Sequence, residues 1–253
     1  MNGAYDTSSL LLPEVIAQHG RWRPGATALI CGEERRSWAQ FDAATNRIAH
    51  GLAALGLAPG ARLAVLMSNS IEMVELLFGA GKAGVSVVPL NVSVTDAAVA
   101  AMIEDSGATA VAASGEHCAR IDGLVAAQPR AAAWVRIGVD APAGRGWVDL
   151  RSWRDAQPAR PRAVPVRADD ECNIIYSSGT TGLPKGIVHT HGCRLNWALD
   201  VGLALRYHSG AVTVCSIGLY SNIMWVAMLS TILVGGTLVI LPAFSPATVH
   251  RDE

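Results

Sequence analysis

Asn173-Ile174-Ile175-Tyr176-Ser177-Ser178-Gly179-Thr180-Thr181-Gly182-Leu183-Pro184-Lys185-Gly186 is the stretch whose reading decides this chain. A short apolar run, read as a strand, delivers four hydroxyls, three glycines and one lysine into a loop. Glycines let the backbone approach an anion and adopt positive φ, so that successive N–H groups converge on one concavity. Hydroxyls then donate to phosphate oxygens, and Lys185 adds a compact positive charge. Surface turns use the same residue types, and for any single residue the turn is the simpler account. The whole string, strand before and lysine after, reads as a polyphosphate cradle. It is not a Walker A loop, because Pro184 stands where G-x-x-x-x-G-K-S/T requires its second glycine and no Ser or Thr follows Lys185.

Outward from the loop, the sequence alternates between the helical and the strand period. Ser37 and Gln40 have the spacing of a capping box, and Phe41, Ala44, Ile48, Leu52 and Leu55 repeat at helical spacing up to Gly56. Arg62 to Met67 reads as a strand buried on both faces. Asn69 and Glu72 are read as caps of a following helix with apolar positions Ile71, Val74, Leu77 and Phe78, after which Val85 to Leu90 returns as strand. Thr95 caps a third helix through Ile103, and Thr109 to Ala112 forms another strand. After the loop come a helix around Arg194 to Leu205 and a strand at Val212 to Cys215. The expected fold class is therefore α/β, with helices packed on mainly parallel sheets. Residues 1–156 are read as a first α/β subdomain, 157–167 as a Pro/Arg linker and 168–253 as the start of a second subdomain carrying the loop. The arginines Arg151, Arg154, Arg160, Arg162 and Arg167 are expected to stay solvated.

Composition excludes several classes. Of 253 residues 51% are hydrophobic and 16% charged, which fits a globular chain rather than a disordered one. A net charge of -1 offers no reason to expect nucleic acid or an anionic membrane surface. The five cysteines lie far apart without a C-x-x-C pair, favouring reduced thiols and a cytoplasmic setting, and the first eighteen residues lack the marks of a secretory signal. Ile223 to Leu241 is uncharged and long enough to span a membrane, but Gly235-Gly236 and Pro242 divide it into helix, turn and buried strand. Gly79-Ala80-Gly81-Lys82-Ala83-Gly84 matches G-x-G-x-x-G in the wrong context, with a helix before and a strand after, so a helix-to-strand turn is favoured over a dinucleotide site. His189 and His191 would share a face of an extended segment. A metal pair and a structural polar edge are the two readings, and no third ligand is evident nearby, so no metal site is assigned.

The loop resembles the signature of the adenylate-forming (AMP-binding) superfamily, which includes acyl-CoA synthetases, luciferases and peptide-synthetase adenylation domains. Its pattern is an aromatic, two hydroxyl residues, Gly, two hydroxyl residues, Gly, any residue, then Pro-Lys-Gly, and every position is met from Tyr176 to Gly186. Arg36 to Asp42, Gly81 to Asn91 and Glu104 to Ala108 resemble further family segments in the expected order. The resemblance implies the N-terminal portion of an acyl-CoA synthetase-like enzyme. There a carboxylate attacks ATP to form an acyl-adenylate, and a thiol such as CoA takes the acyl group. It implies phosphate contacts from Ser177, Ser178, Gly179, Thr180, Thr181, Gly182 and Lys185, with Lys185 also stabilising the reacting phosphates. Mg2+ would be held mainly through those phosphates, and Tyr220 and Ser221 would border the acid. Ser221 departs from the histidine common at its position. The expected partners are a small carboxylic acid and ATP, together with a separately encoded C-terminal half, without a membrane span. The family's adenine-side Thr-Glu, ribose-side Thr-Gly-Asp and late catalytic lysine do not follow, so the chain is expected to be inactive alone. A non-catalytic remnant or interaction module is the alternative reading, and a dinucleotide-binding oxidoreductase a third.

Overall fold

Residues 10–142, 145–177 and 184–243 are described by the structure, a computed structural model. Helix α1 (Leu12–Trp22) takes Pro13 into its first turn, where no intrahelical N–H is needed, and Glu14 accepts from the Leu11 N–H at 2.7 Å. Strands β1 (Thr27–Cys31) and β2 (Glu34–Ser37) form a hairpin that turns at Gly32, with φ of 57°. The expected capping box is present: Ser37 Oγ accepts from Gln40 N at 3.3 Å, and Gln40 Oε1 accepts from Ser37 N at 2.8 Å. It opens α2 (Trp38–Ala54), which buries Phe41, Ala44, Ile48 and Leu52.

Next come β3 (Arg62–Leu66), α3 (Ile71–Lys82), β4 (Ser86–Pro89), α4 (Asp96–Ser106), β5 (Ala110–Ser114) and α5 (Gly115–Ala127). Thr95 caps α4 as expected, accepting from Ala98 N at 3.3 Å. The expected cap of α3 is corrected. Ser70 accepts from Met73 N at 3.1 Å, while Asn69 turns its amide toward a distant loop. A 3₁₀ turn (Pro129–Ala133) leads to β6 (Val135–Val139), β7 (Trp147–Asp149) and α6 (Leu150–Asp155). The G-x-G-x-x-G stretch closes α3 and turns into β4, and Gly79 lets α3 approach α2, since a Cβ there would lie 2.5 Å from Ile48 Cγ2.

Segment 157–167 contains no helix or strand, yet it is pinned to α2: Asn46 Nδ2 donates to Ala159 O at 3.0 Å. The solvated reading of the arginines in and before this segment fails at Arg154 and holds at Arg151, which is exposed although ion-paired. Arg154 is buried and paired with Glu75, and Arg151 Nε donates to Glu72 Oε1 at 2.7 Å. Each carboxylate lies 79 residues earlier on α3. Arg160 and Arg167 are exposed.

The chain continues through β8 (Glu171–Ser177), β9 (Lys185–Thr190), α7 (His191–Ala204), β10 (Val212–Cys215), α8 (Asn222–Val234) and β11 (Thr237–Ile240). The apolar run from Ile223 to Leu241 thus divides as expected, with Gly235 at φ 74° ending α8. Among the described residues no helix is long and apolar enough to cross a membrane.

Eleven described strands make two mainly parallel sheets, ordered β7-β6-β5-β3-β4-β8-β9 and β10-β11-β1-β2, with antiparallel pairs at β8-β9 and β1-β2. Both sheets draw strands from each side of segment 157–167. Along β3, Leu63 and Val65 join a core shared with α2, α3, β1 and β11, whereas Ala64 and Leu66 join a second core beneath α4 and α5. That alternation is why β3 is apolar on both faces. The larger sheet carries the β8–β9 pair at one edge, with Ser177 and Lys185 at its end.

Candidate active site

Strands β8 and β9 pair antiparallel, and Ser177 faces Lys185 as the last pair before the loop. Five of the expected phosphate contacts, Ser178, Gly179, Thr180, Thr181 and Gly182, lie outside the described residues. Ser177 and Pro184 line a cleft of about 440 Å³ together with Tyr176, Thr95, Met102 and Tyr220. Lys185 is exposed at the start of β9. Tyr176 is fixed from the side: its hydroxyl donates to Met102 O at 3.0 Å and contacts Asp105 Oδ2 at 2.5 Å. Burial, together with that carboxylate, raises its phenol well above the usual range, so it remains a neutral donor.

Tyr220 also lines an adjoining cleft of about 710 Å³, with Ser68, Asn69, Ile217, Gly218 and Leu241. Ser93 borders both clefts, and its segment is held by Arg120, which donates to Val92 O at 2.7 Å and Val94 O at 2.6 Å. The structure therefore brings Tyr220 to the loop hairpin. Ser221 lines neither cleft and instead precedes α8, with no side-chain cap bond.

Sequence reading missed Asn69 as a site residue. Its Nδ2 donates to Ile217 O at 3.0 Å and Leu241 O at 3.2 Å, and its Oδ1 accepts from Leu219 N at 2.9 Å. Trp225 Nε1 donates to Leu219 O at 2.6 Å, so the backbone just before Tyr220 is held from two sides. No local signal marks Asn69, because its partners lie 148 to 172 positions away.

His189 and His191 do not form one extended face, since β9 ends at Thr190, which caps α7 by accepting from Cys193 N at 3.2 Å. The polar edge expected there is also corrected, because both imidazoles are buried. Burial lowers each to a pKa of about 4, with the Arg194 charge adding to the effect on His189. Among the described residues no group of three metal-ligating side chains forms.

The same α/β architecture occurs in solved acyl-CoA-forming enzymes. The fatty acyl CoA synthetase of Mycobacterium tuberculosis superposes with a TM-score of 0.84 at 27% identity, over 95% of this chain and 46% of that one. The N-terminal domain of FACL13 from the same organism gives a TM-score of 0.85 at 28% identity, over 95% and 59%. This chain belongs to the AMP-binding enzyme family, whose model matches residues 16–252. It is 36% identical over 224 residues to the long-chain-fatty-acid–CoA ligase FadD13 of Mycobacterium tuberculosis, covering 85% of this chain and 41% of that protein. It is 32% identical over 234 residues to feruloyl-CoA synthase of Amycolatopsis sp, covering 92% and 44%. The chain thus spans less than half the length of these curated relatives.

Proposed function

We propose that this chain contributes the phosphate-facing part of an enzyme that activates a carboxylic acid with ATP and passes the acyl group to the thiol of CoA. One observation carries the reading: Tyr176, Ser177 and Pro184 of the loop hairpin meet Tyr220 at a single cleft, in a chain of the AMP-binding family. In this reading Ser177, Ser178, Thr180 and Thr181 donate hydroxyl hydrogen bonds to the β- and γ-phosphates. Gly179 and Gly182 give backbone N–H access, and Lys185 offsets charge gathering on the departing pyrophosphate.

A carboxylate oxygen attacks the α-phosphorus, the bond from that phosphorus to the bridging oxygen of pyrophosphate breaks, and an acyl-adenylate results. The thiol sulfur then displaces AMP. Mg2+ would be held through the phosphates, in keeping with the small number of protein carboxylates such sites use. Tyr220, which lines both clefts, borders the acid in this proposal.

Ile187 and Val188 on β9, Val212 on β10, and Leu203 and Ile223 on α7 and α8 are exposed apolar residues, and β9 and β10 are both edge strands. Such edges favour coverage by a further polypeptide segment carrying the rest of the site over a free-standing non-catalytic module.

Equilibrium dialysis with MgATP, pyrophosphate and AMP tests the reading. MgATP and pyrophosphate are expected to bind more tightly than AMP, and a preference for AMP would sink the phosphate-loop assignment. Without the family's adenine- and ribose-side motifs, carboxylate-dependent ATP–pyrophosphate exchange by the chain alone is expected to be absent. Robust exchange would overturn that expectation.

A further inference from the structure

Arg194 on α7 is completely buried, and among the described residues no carboxylate pairs with it. Taking a guanidinium out of water without a counter-ion costs several kcal/mol unless other groups replace the solvent. Here the replacement is specific. Arg194 Nε donates to Asn173 Oδ1 at 2.9 Å, and Nη2 donates to Asn222 Oδ1 at 2.8 Å and meets His189 Nδ1 at 3.3 Å. The guanidinium carbon lies 5.1 Å from the Trp197 ring centroid and 5.0 Å from that of Trp225. Two indole faces thus stabilise the cation. Burial lowers its pKa only to about 10, so it remains charged at neutral pH.

These partners belong to separate parts of the site. Asn173 and His189 face each other across the β8–β9 ladder, inward of the Ser177–Lys185 pair that closes the loop. Asn222 is the first residue of α8, directly after Tyr220 and Ser221. An apolar side chain of similar volume would pack α7 against α8 at less cost. Only a planar fork reaches both amide oxygens at once.

We propose that Arg194 is a positioning residue that locks the phosphate-loop hairpin to the start of α8, so that a change at Asn222 is transmitted to β8 and β9. What occupies the two ends rests on the acid-activation reading; the link itself does not.

A double-mutant cycle read by amide hydrogen exchange tests the link without ligand. Asn222→Ala is expected to speed exchange at Ile174 to Tyr176 and Ile187 to His189 roughly tenfold, within the usual range for coupled residues. It should have no further effect in an Arg194→Met background. Arg194→Lys, which keeps the charge but loses the fork, should behave like Arg194→Met, and it serves for the cycle if the methionine variant does not fold. Unchanged exchange across α2 reports that the fold is intact. If Asn222→Ala leaves the hairpin unchanged, or acts equally with and without Arg194, the proposal is overturned. MgATP binding by the same proteins separates the two readings. Coupled exchange without MgATP binding supports the link and removes the acid-activation reading. MgATP binding without coupled exchange removes the link alone.

Discussion

Ser177 and Lys185 face each other as the final cross-strand pair of β8 and β9, so the chain leaves and re-enters the sheet at one point. A loop anchored in this way has its ends fixed before any anion arrives, which lowers the ordering cost of binding.

Lys185→Ala is expected to weaken MgATP binding about 10- to 100-fold, the range for losing one charge-assisted hydrogen bond. The thermal midpoint should hardly move, because Lys185 is exposed. Titration calorimetry beside thermal unfolding separates the two effects, and unchanged affinity would remove the lysine from the phosphate site.

Gly79→Ala should destabilise the protein although alanine is the better helix former. The propensity gain is about 1 kcal/mol, whereas a methyl directed at Ile48 costs about 1–3 kcal/mol of overpacking. Urea denaturation is expected to give a net loss. A net gain would show that α2 and α3 separate freely.

Arg154→Met should cost about 3–5 kcal/mol, the penalty for removing one partner of a buried pair. Among the described residues, Glu75, fully buried, would retain only Arg36, whose Nε stands 3.3 Å from Glu75 Oε1. Replacing Glu75 with Gln in the same background should recover part of the loss, and no recovery would mean that packing rather than charge is at issue.

Acid should weaken the fold before the carboxylates titrate. His189 and His191 are held near pKa 4 by burial, against the ordinary 6.5 of an unfolded histidine. Above pH 6.5 both states are neutral. Between 6.5 and 4 the unfolded chain binds protons that the native state refuses, so stability falls with pH across that window and levels off below it. Each such histidine adds up to about 1.4 kcal/mol per pH unit. Half-buried His19 and His117, also lowered by desolvation, act in the same direction. His191→Gln should therefore flatten the curve measured by denaturation from pH 7.5 to 5, and a wild-type curve flat across that range would refute the account.

Signals confined to a few neighbouring residues were legible from the sequence. Ser37 with Gln40, Thr95 before α4, and the apolar runs of β3 and β4 each state their structure locally. Strands β1, β2, β6 and β7 have no such local signal: each is three to five residues long, and β2, β6 and β7 are interrupted by charge, as in Glu34-Arg35-Arg36-Ser37. Side chains whose partners are remote were misread: Asn69 as a cap, Arg154 as a solvated linker residue. Within the candidate site, the loop hairpin is marked by its residue types, and Tyr220 by the family resemblance alone. Asn69 and Arg194 became visible only when the fold brought distant segments together.

The place of β1 in its sheet has a consequence for synthesis. It pairs with β11, and Thr237 Oγ1 donates to Thr27 O across 210 positions. At ribosomal rates the hairpin β1–β2 therefore waits on the order of 10–40 s for its neighbour to emerge. During that interval Ala28 and Leu29, buried in the finished molecule, have no sheet to join. The nascent chain must keep this early hairpin soluble, which makes chaperone demand a property of strand order rather than of any single sequence segment.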